Sequence, residues 1–420
     1  MAQEAPKAVS YHHLGGLPSE LFDKILFEIN SIRDLAHFIA TARFAYQRFK
    51  VQRRAVLFRV LQNELGPVLA DARFLFMFPY SDPTDQVRYM KWLSLMADVY
   101  HGLLRGGNTE DGIPIQGDTI PHLEELKALC RTLYQINFIA DIYVTTQLTS
   151  FDLGGGGGTP AITPLSPLER RRLIRSFYRR QILSNAWAAT RRPKHWTYED
   201  MAAISNSSTY QGEELGLLGT LEPWEMQQID HVDVFITCLC LALVYHFPRT
   251  ADGAPGIPPR QFDELFTHLH RLIQFLQTHR GVAERATRDL AAVMELAHCL
   301  RLHDEYSDRA ASFPDSVTDK WDRDGLVMPY AGDGLDLAPY GWLDALGGRY
   351  VKWFGEGLYS IPWRQSHSQP SDQSNALYLW RYAGFCLWDR KRVEALKGLS
   401  MFGGELYTGW VFNRSIKRDD

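Results

Sequence analysis

Apolar positions spaced three and four residues apart recur along most of the chain, so helices are the elements its pattern predicts. Near the start, Leu21, Phe22, Ile25, Leu26 and Ile29 share one helical face. Pro18 suits the first helical position, where its missing N–H is an orphan donor anyway, and Glu20 puts a carboxylate at the positive end of the helix dipole. Ser31 with Asp34 three residues on forms a capping pair for a second helix carrying Leu35, Phe38 and Ile39. Val56, Leu57, Val60, Leu61 and Leu65 make a further helix face that Gly66-Pro67 terminates. Another helix runs from Leu123 through Ile136. After Pro258-Pro259, the stripe Phe262, Leu265, Phe266, Leu269, Leu272, Ile273 and Leu276 predicts four turns of core-facing helix. Leu290, Val293, Met294, Ala297 and Leu300 predict its antiparallel partner.

Punctuation separates these stripes. Gly106 to Pro121 and 249–260 read as loops, and 151–167, with five consecutive glycines, reads as a flexible linker or long surface loop. The glycine run lacks the Gly-Lys-Ser/Thr ending of a phosphate-cradling loop. Beyond residue 320 the character changes: seven of the eleven tryptophans lie there, at 321, 342, 353, 363, 380, 388 and 410. Large rings of this kind hold an irregular region onto a helical body, which is the reading adopted for them over an exposed recognition surface.

Charge changes the picture in one place. The span 168–194 holds Arg170, Arg171, Arg172, Arg175, Arg179, Arg180, Arg191, Arg192 and Lys194 against the single acid Glu169. With Leu173, Ile174, Phe177, Tyr178 and Trp187 as a buried face, it predicts an amphipathic helix whose basic outer side is solvated and neutralised by acids elsewhere. The alternative is a basic side that receives an acidic or phosphorylated partner through bidentate arginine contacts. Elsewhere the balance is ordinary, and a net charge of −4 gives no reason to expect nucleic-acid binding. The longest apolar stretch, Val234 to Tyr245, falls short of the roughly 20 residues needed to cross a bilayer and reads as a buried helix. Five cysteines without a C-x-x-C pair, and no secretory leader, point to reduced thiols in the cytoplasm or nucleus.

The opening segment Leu17-Pro18-Ser19-Glu20-Leu21, with Ile25-Leu26 and Asp34-Leu35 at their spacings, resembles the F-box over residues 14 to 54. It departs from that pattern at Thr41-Ala42-Arg43, where many F-boxes carry a cysteine. Downstream, the arginine-rich segment starting at Ser166-Pro167, then Pro223-Trp224-Glu225, then Trp388-Asp389-Arg390-Lys391-Arg392, are similar in kind and order to segments of fungal F-box-like proteins. The resemblance implies a mainly α fold: a three-helix F-box-like module at 14–54, helices over 55–148, the Gly/Pro-rich linker at 149–167, a helical body at 168–310 and an aromatic-rich C-terminal region at 311–420. It also implies a non-catalytic substrate receptor of an SCF-type cullin-RING ubiquitin ligase. The adaptor subunit would dock on Leu17, Pro18, Leu21, Ile25, Leu26 and Leu35, with Glu20 setting the helix start, and an unidentified protein target would bind the remainder. No cofactor, nucleic acid or membrane enters that reading.

Two alternatives come from the residues themselves. The module's apolar faces also suit a ligase-independent interaction or scaffold protein. Fourteen histidines raise a metal-dependent phosphohydrolase of the HD type, with His303-Asp304 as its pair and His231 or His268 as first ligand. Against it, a bare His-Asp pair is unspecific, and His268 and His270 would sit about 200° apart on one helix. Asp322-Arg323-Asp324-Gly325 lacks the closing ligands of a calcium loop and reads as a turn.

Overall fold

The first two apolar stripes fold as α1 (Ser19–Glu28) and α2 (Ile32–Thr41), followed closely by α3 (Arg43–Val51) and α4 (Arg53–Leu65). The computed structural model describes residues 17–78, 86–105, 120–149, 164–187, 216–217, 219–248, 256–290, 331–345 and 384–397. Every regular element among them is a helix, so the fold is mainly α. Pro18 turns out to be the residue before the first helical one, its carbonyl accepting from the Leu21 and Phe22 amides at 3.1 Å. Ser31 caps α2 as its spacing predicts, its Oγ accepting the Asp34 amide at 3.0 Å.

The first three helices do not close on themselves. Both α1 and α2 pack on α4, so the boundary at residue 54 falls inside a helix, and the apolar core runs on from Phe22 and Leu26 into Val56, Leu61 and beyond. Two neighbouring residues of α4 fasten the α1–α2 turn. Asn63 Nδ2 donates to the Phe27 and Ile29 carbonyls at 2.8 and 3.0 Å, satisfying groups at the end of α1. Glu64 Oε2 accepts the Ile32 amide at 2.7 Å at the start of α2. Burial pushes the Glu64 carboxyl up, against the lowering effect of the Ile32 and Asn137 hydrogen bonds. Gly66 then ends α4 at φ +55°, a left-handed conformation that favours glycine.

Beyond it lie α5 (Leu69–Met77), α6 (Gln86–Leu104), α7 (Leu123–Thr149), α8 (Pro167–Trp187) and α9 (Pro223–His246). Next come α10 (Pro259–Thr267), α11 (Leu269–Thr278), α12 (Arg280–Arg288), α13 (Tyr340–Ala345) and α14 (Arg390–Lys397). Pro223 does occupy the first position of its helix, where the Glu222 amide donates to Glu225 Oε2 at 2.8 Å. By length and composition, Trp224–His246 in α9 is the one helix among the described residues that would suffice to cross a membrane, longer than the apolar run alone suggested. Here it packs against α8, α10 and α12, with Val232, Phe235, Ile236, Leu239 and Leu243 in the core.

The stripe from Phe262 to Leu276 is buried except for the partly covered Phe266, but in two helices rather than one, broken at His268. A buried side chain from α8 takes up the groups freed there: Gln181 Oε1 accepts the Leu269 amide at 2.9 Å, and its Nε2 donates to the Thr267 carbonyl at 3.1 Å. Because the chain turns at His268, its ring and that of His270 approach to 5.5 Å, which the single-helix geometry did not allow. His231 is hydrogen-bonded to the Tyr143 hydroxyl at 2.5 Å. The described residues contain no group of three His, Cys, Asp or Glu side chains placed to hold a metal ion.

The largest correction concerns α8. Its arginines do not form a solvated outer side: Arg172, Arg175, Arg179 and Arg180 are all buried, and the helix runs through the interior. Acids from distant parts of the chain meet them. Arg179 reaches Asp71 and Glu225, each at 2.8 Å, and Arg175 reaches Glu225 at 3.0 Å and Asp336 at 2.7 Å. Arg172 pairs with Asp389 at 2.5 Å and Arg180 with Asp233 at 2.8 Å, while Arg392 reaches back to Glu169 at 2.8 Å. Ser166 opens the helix with a hydroxyl that also donates to Asp389. The arginine-rich segment, Pro223-Trp224-Glu225 and the Trp388–Arg392 run therefore meet in one buried polar network. Trp342 and Trp388, the two C-terminal tryptophans in view, are likewise interior, Trp342 Nε1 donating to Gln227 at 2.7 Å. Gly384, at φ +74°, leaves no room for a side chain beside Tyr143 and His231.

This network sets an acid limit on stability. Burial raises the Glu225 carboxyl, but Arg179 and Arg175 outweigh it and bring its pKa down to about 2 from 4.5. A depressed carboxyl contributes stability above its unfolded value and loses it as pH falls through the folded one. Glu225→Gln should therefore flatten the acid limb of a denaturation profile between pH 4.5 and about 2. An acid limb of unchanged slope would contradict this.

Several expectations lie outside the described residues: residues 14–16, the loops at 106–119, 151–163 and 249–255, the basic residues Arg191, Arg192 and Lys194, the helix at 291–300, the His303-Asp304 pair, the turn at 322–325, and Trp321, Trp353, Trp363, Trp380 and Trp410.

Candidate functional site

Among the described residues, the amino-terminal helices leave an apolar surface uncovered. Leu17 and Leu21 of the opening segment are 36% and 47% exposed, and on α3 Phe44 and Val51 are 40% and 76% exposed. Leu17, Phe44 and Val51 border an open groove of about 710 Å³ between α1 and α3, lined also by Ser19, Phe22, Arg43, Gln47 and Arg48, while Leu21 lies outside it. This grouping makes the groove the candidate contact surface.

Helix α3 builds most of it because it has two apolar sides. Ala45 and Phe49, four apart, face inward and are buried, whereas Phe44 and Val51, seven apart, lie on the opposite side with Gln47 and Arg48. Phe22 forms the floor, packed edge-on against Phe44 at 5.3 Å and stacked on Phe38 at 5.6 Å. A clasp joins the two walls: Arg48 Nε and Nη2 donate to Asp23 at 2.7 and 2.5 Å, and Gln52 Nε2 donates to the same carboxylate at 2.5 Å. The Arg48 hydrogen bonds, opposed by partial desolvation and helped by Gln52, hold the Asp23 carboxyl below its ordinary value. The groove's width is thus set before anything enters it.

Searches against family models, curated proteins and solved structures return no match for this chain.

The residues expected to contact an adaptor separate into two groups. Leu17, Pro18, Glu20 and Leu21 are exposed, and Ile25 is half-buried. Leu26 and Leu35 are fully enclosed, at 0% and 2% exposure, and act as the floor on which α1 and α2 pack rather than as contacts. Among the exposed ones, Leu17 alone lines the groove. Arg43, Phe44, Gln47, Arg48 and Val51 were missed, although their spacing of one, four, five and eight on a helix already placed them along one side.

Proposed function

We propose that the chain is a non-catalytic substrate receptor of an SCF-type ubiquitin ligase, which docks the ligase's adaptor subunit in the groove between α1 and α3. What carries the reading is the exposure of an apolar surface at the segment that resembles the F-box: Leu17 and Leu21 face outward while Phe22, Leu26 and Leu35 anchor the helices beneath them. The receptor's action is positional. By holding a target and the adaptor on one body, it raises the effective concentration of target lysines near the conjugating enzyme. The body suits that task, since Arg171 of α8 donates to the Asn63 carbonyl at 3.0 Å, next to the residues that fasten α1 to α2. The buried arginines of α8 are not the target's binding face, because their charges are taken up internally.

Co-elution of the purified chain with purified adaptor tests the proposal. A complex of one copy of each at low micromolar concentration is expected, and separate elution at every ratio would leave a ligase-independent scaffold as the better reading.

A further inference from the structure

The groove between α1 and α3 combines apolar walls with a charge of one sign. Arg43 and Arg48 line it and, among the described residues, no acidic one does. Arg48 is committed to Asp23, but Arg43 and Lys50 are exposed and meet no carboxylate among the described residues. Arg43, Gln47 and Lys50 stand four and three residues apart on α3, so both cations flank the groove on one helical side. From Leu35 to Asn63 the chain carries six arginines and lysines and no acid, although its net charge is −4. This local excess runs against the character of the whole molecule.

We infer that the groove's partner is a protein that inserts an acidic amphipathic helix, its apolar residues between Phe44 and Val51 and its carboxylates toward Arg43 and Lys50. The inference deepens the docking reading and rests on the same surface. Charge complementarity selects this occupant, because opposed potentials both steer encounter and suppress wrong partners. A second copy of the chain, meeting the first groove to groove, would set Arg43 and Lys50 against their own counterparts. The residues before Leu17 carry one acid, Glu4, balanced by Lys7, and offer no acidic face. An anionic bilayer matches the charge but not the shape, since the apolar side chains line a concavity that a flat surface does not enter.

Two labelled peptides of about 16 residues, with identical apolar positions and either glutamates or lysines on the polar side, provide the probe. Binding is followed by fluorescence anisotropy against the full chain, alongside purified adaptor and phosphatidylserine vesicles. The acidic peptide is expected to bind at least about tenfold tighter than the basic one, to weaken with salt, and to lose that advantage on Arg43→Glu/Lys50→Glu. The same variant is expected to weaken adaptor binding about tenfold; both positions are exposed, and circular dichroism checks that the fold is kept. Equal binding of the two peptides, or vesicle binding without peptide binding, overturns the inference. An adaptor that binds the charge-reversed variant unchanged overturns it too and leaves the docking reading intact. A charge-dependent peptide with no adaptor binding does the reverse: the adaptor falls and the acidic helix stands. Absence of binding by both peptides and the adaptor sinks both.

Discussion

Arg179→Leu is expected to lower the free energy of unfolding by about 3–5 kcal/mol, among the largest effects of any single substitution in this chain. The reason is what remains behind. Asp71 and Glu225 each lose a 2.8 Å partner inside the protein, and the Tyr100 hydroxyl, which donates to Asp71 at 2.5 Å, cannot neutralise a charge. An uncompensated buried carboxylate costs far more than the intact pair contributes. Adding Asp71→Asn to Arg179→Leu should recover part of the loss by removing the stranded charge, since Glu225 keeps Arg175 at 3.0 Å. Lys127→Ala is the control: its pair with Glu124 is a surface i,i+3 contact, worth at most about 0.5 kcal/mol. Urea denaturation of the three variants measures all of this, and a loss below about 1 kcal/mol for Arg179→Leu would contradict an interior α8.

Phe44→Asp/Val51→Asp is expected to behave in the opposite way. Val51 faces solvent in the free chain and Phe44 gives up only its edge contact with Phe22, so the double variant should lose no more than about 2 kcal/mol and stay folded. In a docked complex the same two positions become buried, and a carboxylate at either would enter an apolar contact unpaired. Central apolar anchors of interfaces cost about 2 kcal/mol or more when lost, so adaptor affinity should fall at least about 100-fold. Leu35→Asp provides the contrast, because it places a charge in the core and should unfold the helices rather than merely release a partner. Titration calorimetry beside a thermal melt separates the two behaviours. A double variant that binds as the parent does would place the partner elsewhere.

How much of this could be read from the chain follows from the range of each cause. The capped start of α2, the glycine stop after α4, the start of α9 at Pro223 and the buried stripe of α10 and α11 depend on residues within a turn or two, and their spacing announces them. The break at His268 does not, because Gln181, eighty-odd positions away, makes it affordable. The same holds for α8. Its arginines look like a solvated face because their local window holds one acid, whereas the acids that answer them stand at 71, 225, 233, 336 and 389. Of the candidate site, the opening segment announced Leu17, with Phe22 on the apolar face of α1. The part on α3 was not legible because its apolar residues fall on two sides of a short helix, Phe44 and Val51 seven residues apart and away from the buried Ala45 and Phe49, and spacing alone does not say which side the core takes. The lesson is physical: a short helix with apolar residues on two sides has one side to spare.

The most direct measurement of the docking account is amide hydrogen exchange on the free chain and on the chain mixed with purified adaptor. The account predicts added protection confined to two segments, Leu17 to Ile25 and Arg43 to Val51, with α8 and α9 unchanged. Protection that appears elsewhere while those two segments exchange as before would contradict it.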